Sequence, residues 1–222
     1  DIMESVRRGR GLSPEWKEAM LQYKVPQWYI DSCLKIKYMF PKAHAVAYVM
    51  MAVRVAWFKV YHPAAYYAVY FTLRSTAYEL ETQTQDITII QKRLNSINAA
   101  MQDFQKRHEV SNKEKNLVDT LDVTIEMISR GYRVAPLDLM KSHATDWTVD
   151  PQDPKAIIPP FTAVDGLGAA VANGIVQSRS ERDFMSKRDL MTRAGISAAL
   201  VKKLDELNVT EHLEESNQMS LF

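Results

Sequence analysis

The sequence predicts a mainly α-helical fold with a few short β-strands, and three features predict it. Apolar residues recur at every third or fourth position through residues 86–130, the period of an amphipathic helix. Two long, nearly continuous apolar segments each open on a proline, Pro41 and Pro63, a residue favoured at the first helical position. Between Gly131 and Asp150 the short runs YRVAPLDL and DWTVD, rich in β-branched and aromatic residues, read as strands.

Taken in order, Ser13 caps a helix that starts at Pro14 and runs to about Gln22. A second helix runs from Pro26 to Lys37 and carries Trp28, Ile30, Cys33, Leu34 and Ile36. The stretch MFPKAHAVAYVMMAVRVAWFKVYHP forms a third from Pro41 to Tyr61, and AAYYAVYFTLR a fourth from Pro63. Both are apolar almost all round, which predicts burial between other elements. Ile87, Ile90, Leu94, Ile97, Met101 and Phe104 mark one amphipathic helix. Ser111 and Glu114, spaced as a capping box, start another through Leu117, Leu121, Ile125 and Ile128, which Gly131 stops. These two form an antiparallel pair that reads as plain scaffold. Past the strands the chain is helical to about Asn208 and ends in a polar, acidic segment.

With 28 Lys and Arg against 27 Asp and Glu, bulk charge selects no class of partner. Its distribution is uneven: ten basic residues face five acidic ones from Asp1 to His62, whereas the last twelve residues hold Glu211, Glu214 and Glu215 and no Lys or Arg. The single Cys33 reads as a small core residue in a reducing compartment. The longest uncharged apolar run, Ala45 to Val53, is far short of the ~20 residues that cross a bilayer, and Arg54 ends it. The sequence therefore predicts a soluble protein without a membrane, and its opening on Asp instead of Met suggests a segment of a longer one. His108, His143 and His212 stand apart, and no paired carboxylates, CxxC, HExxH or Walker loop occurs. No catalytic or metal-binding residue is expected within the segment.

Three stretches carry chemistry. In FTAVDGLGAAVANGIV, Gly166-Leu167-Gly168 followed by Ala169 and, four residues past the second glycine, Ala172 is the pattern of a helix-hairpin-helix turn. The glycines let the backbone turn sharply and approach a phosphate, and the next helix presents unpaired N–H groups to it. Such contacts grip the backbone without reading sequence. A second copy, RAGISAALVKKL, places Gly195-Ile196-Ser197 in the same role, and paired copies grip both strands. Arg179, Arg182, Arg193, Lys202 and Lys203 lie close enough to add phosphate contacts. An ordinary helix–glycine–helix turn is the alternative. In the helix from Pro41, His44 and Tyr48 share a face, with Lys42 about 160° away at ~100° per residue. Lysine, histidine and free N–H groups suit the phosphates of a nucleotide, and the Tyr48 ring suits a base; a carbonyl-bonded His44 beside a snorkelling Lys42 is the alternative. Finally, QMSLF ends the chain on Leu221 and Phe222, two apolar anchors of the kind a partner's groove takes up.

FPKAHAVAY, the hairpin stretch and the terminal QMSLF, in this order, resemble the C-terminal part of the bacterial C-family replicative DNA polymerases, most closely the PolC type, the alpha subunit of DNA polymerase III in low-GC Gram-positive bacteria. DIMESVRRGRGL, WYIDSCLKIKYMFPKAHAVAYVMMAVRVAWFKVYHP and VAPLDLMKSHATDW extend the likeness to nearly the whole chain. The resemblance implies that residues 1–78 complete a fingers domain, with Lys42, His44 and Tyr48 facing the incoming dNTP and the templating base. Arg7, Arg8 and Arg10 are further candidates for the triphosphate, although the Arg-Arg pair of the sister DnaE-type enzymes falls on Glu4 and Ser5. Residues 79–209 would bind primer–template duplex through the helix pair 86–130 and the hairpin tandem 160–208, with Gly166, Leu167, Gly168, Ala169, Arg179, Gly195, Ser197 and Lys202 at the DNA. Residues 210–222 would form a flexible tail in which Gln218, Met219, Ser220, Leu221 and Phe222 bind the sliding clamp, the beta subunit. Met219 stands there where leucine is usual. The implied activity is DNA-directed DNA polymerisation in a cytoplasmic replisome with its other subunits. Its Mg2+ would be held by palm carboxylates outside this segment, which alone would be inactive. Two other classes stay open: a non-catalytic, clamp-tethered DNA-binding module, and a purely helical scaffold.

Overall fold

The computed structural model describes residues 1–216. They form two compact units, one of residues 1–57 and one that starts at Phe58. Eleven α-helices and three short strands are found among the described residues, in line with the mainly helical class expected.

The first unit contains α1 (Ile2–Arg7), α2 (Pro14–Gln22) and α3 (Gln27–Lys35). Ser13 caps α2 as expected, its side chain accepting from the Trp16 N–H. Val6, Leu12, Met20, Ile30 and Cys33 close a small core. Met39 N–H donates to the Arg7 carbonyl at 2.9 Å, so the chain beyond α3 lies against the end of α1.

α4 (Lys42–Tyr61) begins in this unit, and its last turn belongs to the other. The expectation that α4 is buried fails: none of its twenty residues is buried. Its apolar side chains are spread around the whole circumference, so no single neighbour within the described residues can cover them. By length and composition it is the one described helix capable of crossing a membrane. Arg54 nevertheless interrupts its apolar run, and Lys59 near its end pairs with Glu126 at 2.8 Å.

The second unit starts with α5 (Pro63–Arg74), which buries Ala64, Tyr67, Ala68 and Phe71. The sequence boundary near residue 78 had grouped α5 with the preceding helices. Instead it packs on the strands of this unit, with the Phe71 ring 5.0 Å from Trp147 and Thr72 Oγ accepting from the Trp147 N–H at 2.9 Å. α6 (Leu80–Gln83), α7 (Ile87–Gln102) and α8 (Asn112–Ser129) follow. α7 and α8 form the expected pair around Ile90, Leu94, Ile97, Leu117 and Leu121, and the Ser111–Glu114 capping box is present. Phe104 falls outside the helix and is exposed.

β1 (Arg133–Val134) and β2 (Thr148–Val149) lie in the two runs expected to be extended. The central strand β3 (Ala156–Ile158) pairs parallel with β1 and antiparallel with β2, giving the order β1-β3-β2. All three of its residues are buried, and Phe161 follows it into the main core.

Candidate nucleic-acid interface

Beyond β3, a single 3-10 turn (Phe161–Ala163) leads into the first hairpin. Its position is fixed by main-chain bonds: Phe161 N–H donates to the His143 carbonyl at 2.9 Å and Thr162 N–H to the Ala144 carbonyl at 3.1 Å. The chain reverses at Gly166, whose φ of +84° is a conformation side chains disfavour. Leu167, 3% exposed, plugs the turn into the core. α9 (Ala169–Glu181) then starts at Gly168, which offers no side-chain cap.

The second hairpin repeats this backbone. α10 (Lys187–Ala194) ends at Gly195 with φ +66°, Ile196 is buried, and Ser197 starts α11 (Ala198–Glu206). Ser197 has φ −75° and ψ 155°, Gly168 φ −76° and ψ 161°. A side chain is thus compatible with the backbone at Gly168, and a Cβ there would meet nothing within 4 Å. Space above the first hairpin is left open to whatever approaches the start of α9. α9 and α10 pack closely: a Cβ on Gly174 would lie 2.7 Å from the Ala194 carbonyl, and the Ser178 hydroxyl donates to the Arg193 carbonyl at 3.0 Å. Gly174 escaped the sequence reading because it sits mid-helix, outside either turn motif.

The cations expected near the hairpins divide into two sets. Arg179 turns inward, its Nη1 donating to the Leu139 carbonyl at 2.8 Å and its guanidinium 5.8 Å from the Phe161 ring, where burial pulls its pKa below the usual range. Arg182 binds Asp189 through both terminal nitrogens at 3.0 and 2.9 Å, and this bond holds the Asp189 carboxyl below its ordinary pKa. Arg193 lies over the Phe184 ring. These three arginines are structural ties rather than free cations. Lys202 is exposed and lines, with Lys187 and Arg188, a groove beside α10 and α11. Lys203 donates to the Asp165 carbonyl at 2.9 Å, and Lys113 of α8 pairs with the Asp165 carboxylate.

Past α11, residues 209–215 are tied to the hairpin region. Val209 and Thr210 are buried, Lys187 N–H donates to the Glu214 carbonyl at 2.8 Å, and Lys187 Nζ reaches Asp205 at 2.5 Å and Glu215 at 2.8 Å. Gln218, Met219, Ser220, Leu221 and Phe222 lie outside the described residues.

In the first unit, Lys42 is the first residue of α4 and His44 follows within its opening turn. The His44 ring is 4.7 Å from Phe40 and 4.4 Å, edge-on, from Tyr48. Phe40, four residues before His44, was not singled out from the sequence, yet it completes an exposed ladder of three rings. No acidic side chain occupies the first turn of α4. Arg7 and Arg8 both pair with Glu4, at 2.8 and 2.6 Å, and the Arg7 hydrogen bond first, with the charges of both arginines, pulls the Glu4 carboxyl down to about 2. Arg10 is exposed. Among the described residues no group of three or more His, Cys, Asp or Glu could hold a metal ion.

A family model described as a helix-hairpin-helix motif matches residues 131–219. The chain is 48% identical over 221 residues to the DNA polymerase III PolC-type of Oceanobacillus iheyensis, 47% identical over 221 residues to that of Bacillus subtilis and 46% identical over 222 residues to that of Staphylococcus aureus strain MRSA252. Each match covers 100% of this chain, which spans about 15% of the length of each of these relatives.

Proposed function

We propose that this chain, similar along its whole length to PolC-type DNA polymerase III, is a segment of such a protein and serves template-directed DNA synthesis. Its part is to grip the primer–template duplex, to wall the dNTP site and to tether the enzyme to its sliding clamp. The observation that carries this reading is the pair of hairpins with matching backbone: Gly166 and Gly195 both at positive φ, Gly168 and Ser197 both starting a helix in the same extended conformation. Two helix N-termini built alike suit two phosphates of a duplex.

Within this proposal Gly166, Leu167, Gly168 and Ala169 form one contact and Gly195 and Ser197 the other, with Lys202 adding charge. Arg179 acts beneath them, securing the loop at Leu139. Lys42, His44 and Tyr48, together with Phe40, face the nucleotide: the cations meet the phosphates that the N-terminus of a helix also favours, and the rings meet a base. Arg10 is the freest of the early arginines, since Arg7 and Arg8 are engaged by Glu4. The reaction is attack of a primer 3′-hydroxyl on the dNTP, with Mg2+ held by carboxylates outside this chain. The enzyme works in the cytoplasm within a replisome, without a membrane. Gln218, Met219, Ser220, Leu221 and Phe222 would carry the clamp contact.

The test is single-nucleotide incorporation by the full-length protein against dNTP concentration, with Lys42→Ala, His44→Ala and Tyr48→Ala. Losing a charged hydrogen bond corresponds to about tenfold or more. We expect apparent dNTP affinity or rate to fall by about that factor for Lys42→Ala and His44→Ala, while primer–template binding holds. Three variants equal to wild type in incorporation would remove the nucleotide role and favour a non-catalytic module.

A further inference from the structure

We propose that Lys113, at the start of α8, is a phosphate ligand of the first hairpin, held at its post by Asp165; this rests on the reading of the tandem as a duplex grip. The helix pair then takes part in DNA binding and is more than scaffold.

Four observations converge. Lys113 lies in the first turn of α8, where a cation is disfavoured by the helix dipole, so helix stability does not account for it. Its ammonium pairs with Asp165, 52 residues away and itself part of the hairpin turn. On the same turn Lys203 donates to the Asp165 carbonyl at 2.9 Å, and its ammonium is 4.0 Å from where a Cβ on Gly166 would stand. Beside the Lys113–Asp165 pair runs a groove of about 360 Å³, lined by Thr76, Tyr78, Lys113, Asp165, Gly166 and Gly168, the residue at which α9 starts.

Asp165 alone would repel the anion that the hairpin is built to take. Paired with Lys113 it is neutralised, and both side chains stay partly exposed, at 41% and 60%. An exposed pair of this kind contributes little net stability, so a phosphate can draw the ammonium toward itself at small cost. Lys203, bonded to a carbonyl rather than a carboxylate, adds a second ammonium beside the turn. The two ammonium groups and the bare N–H groups of α9 then surround one phosphate.

The experiment is a fluorescence anisotropy titration of the full-length chain with primer–template duplex across a range of KCl concentrations. Each phosphate contact contributes about 0.9 to the slope of log K against log salt. We expect Lys113→Gln to weaken binding several-fold at low salt and to lower the slope by about one. Asp165→Asn should tighten binding, and Lys115→Gln, an exposed neighbour on α8, should leave both quantities unchanged. The double variant Lys113→Gln/Asp165→Asn should recover affinity in part but keep the lowered slope. A wild-type slope in the double variant would mean that Lys113 only neutralises Asp165, and would overturn the proposal. So would a wild-type slope in Lys113→Gln. A parallel Gly168→Asp titration separates the two levels: if that variant loses affinity while Lys113→Gln does not, the duplex grip stands and the role of Lys113 falls. If neither changes, both fall.

Discussion

Gly9→Ala is expected to destabilise the first unit by about 3 kcal/mol, the sum of a left-handed backbone penalty of ~1–2 kcal/mol and an overpacking cost of ~1–3 kcal/mol. Gly9 has φ +71°, and a Cβ there would stand 1.8 Å from the Lys37 carbonyl oxygen. That oxygen belongs to main chain, which cannot swing aside as a side chain does. The strand of chain it belongs to is bonded to α1 one step further on, through Met39 N–H and the Arg7 carbonyl. Relieving the clash therefore means separating the end of α1 from the segment that leads into α4. Gly11 is the internal control, with φ +75° and nothing within 4 Å of its Cβ position. Gly11→Ala meets only the backbone penalty, about 1–2 kcal/mol. Thermal denaturation should rank wild type above Gly11→Ala above Gly9→Ala, and amide exchange at Met39 should accelerate only in Gly9→Ala. Equal losses in the two variants would show that the approach to Lys37 carries no energy.

Phe161→Ala should cost about 3–5 kcal/mol, a large part of the ~5–15 kcal/mol that holds an ordinary domain together. Phe161 is fully buried at the point where β3 hands over to the first hairpin. Its ring is covered by the Arg179 guanidinium, and its N–H is tied to the His143 carbonyl. Removing the ring leaves a cavity under the turn and takes the packing from beneath an arginine that burial already disfavours in its charged form. Urea denaturation followed at Trp147, in the same core, should show a midpoint shift of that size. Duplex binding should weaken at denaturant concentrations where wild type still binds. A loss below about 1 kcal/mol would mean that the hairpin does not depend on this anchor.

Local patterns were legible in the sequence, and long-range ones were not. The hairpins could be read because two glycines, an apolar plug and a helix start lie within a few consecutive residues, and no distant partner decides the backbone there. The Ser111–Glu114 box and the α7–α8 pair were legible for the same reason, since period and cap are both local. β3 escaped because Ala156–Ile158 is too short for alternation to register, and it is buried on both faces. α4 misled because an apolar circumference says only that something must cover it, not that the covering lies within these residues. α5 was grouped with its sequence neighbours, whereas Tyr67 and Phe71 face the sheet. Arg179 looked like any exposed cation near a turn until Leu139, 40 residues away, proved to be its partner.

The most direct test of the duplex grip uses both hairpins at once, in the variant Gly168→Asp/Ser197→Asp. Aspartate is as good a helix start as serine and a slightly better one than glycine, and the open space at Gly168 accepts it. Stability should therefore hold or rise slightly, while each new carboxylate sits where a phosphate oxygen would come. Each lost charge-assisted contact corresponds to about tenfold. Measured by anisotropy on the full-length protein at fixed salt, duplex affinity should fall about a hundredfold with an unchanged melting temperature. Unchanged affinity at unchanged melting temperature would contradict the account, leaving the paired turns as connections between helices and nothing more.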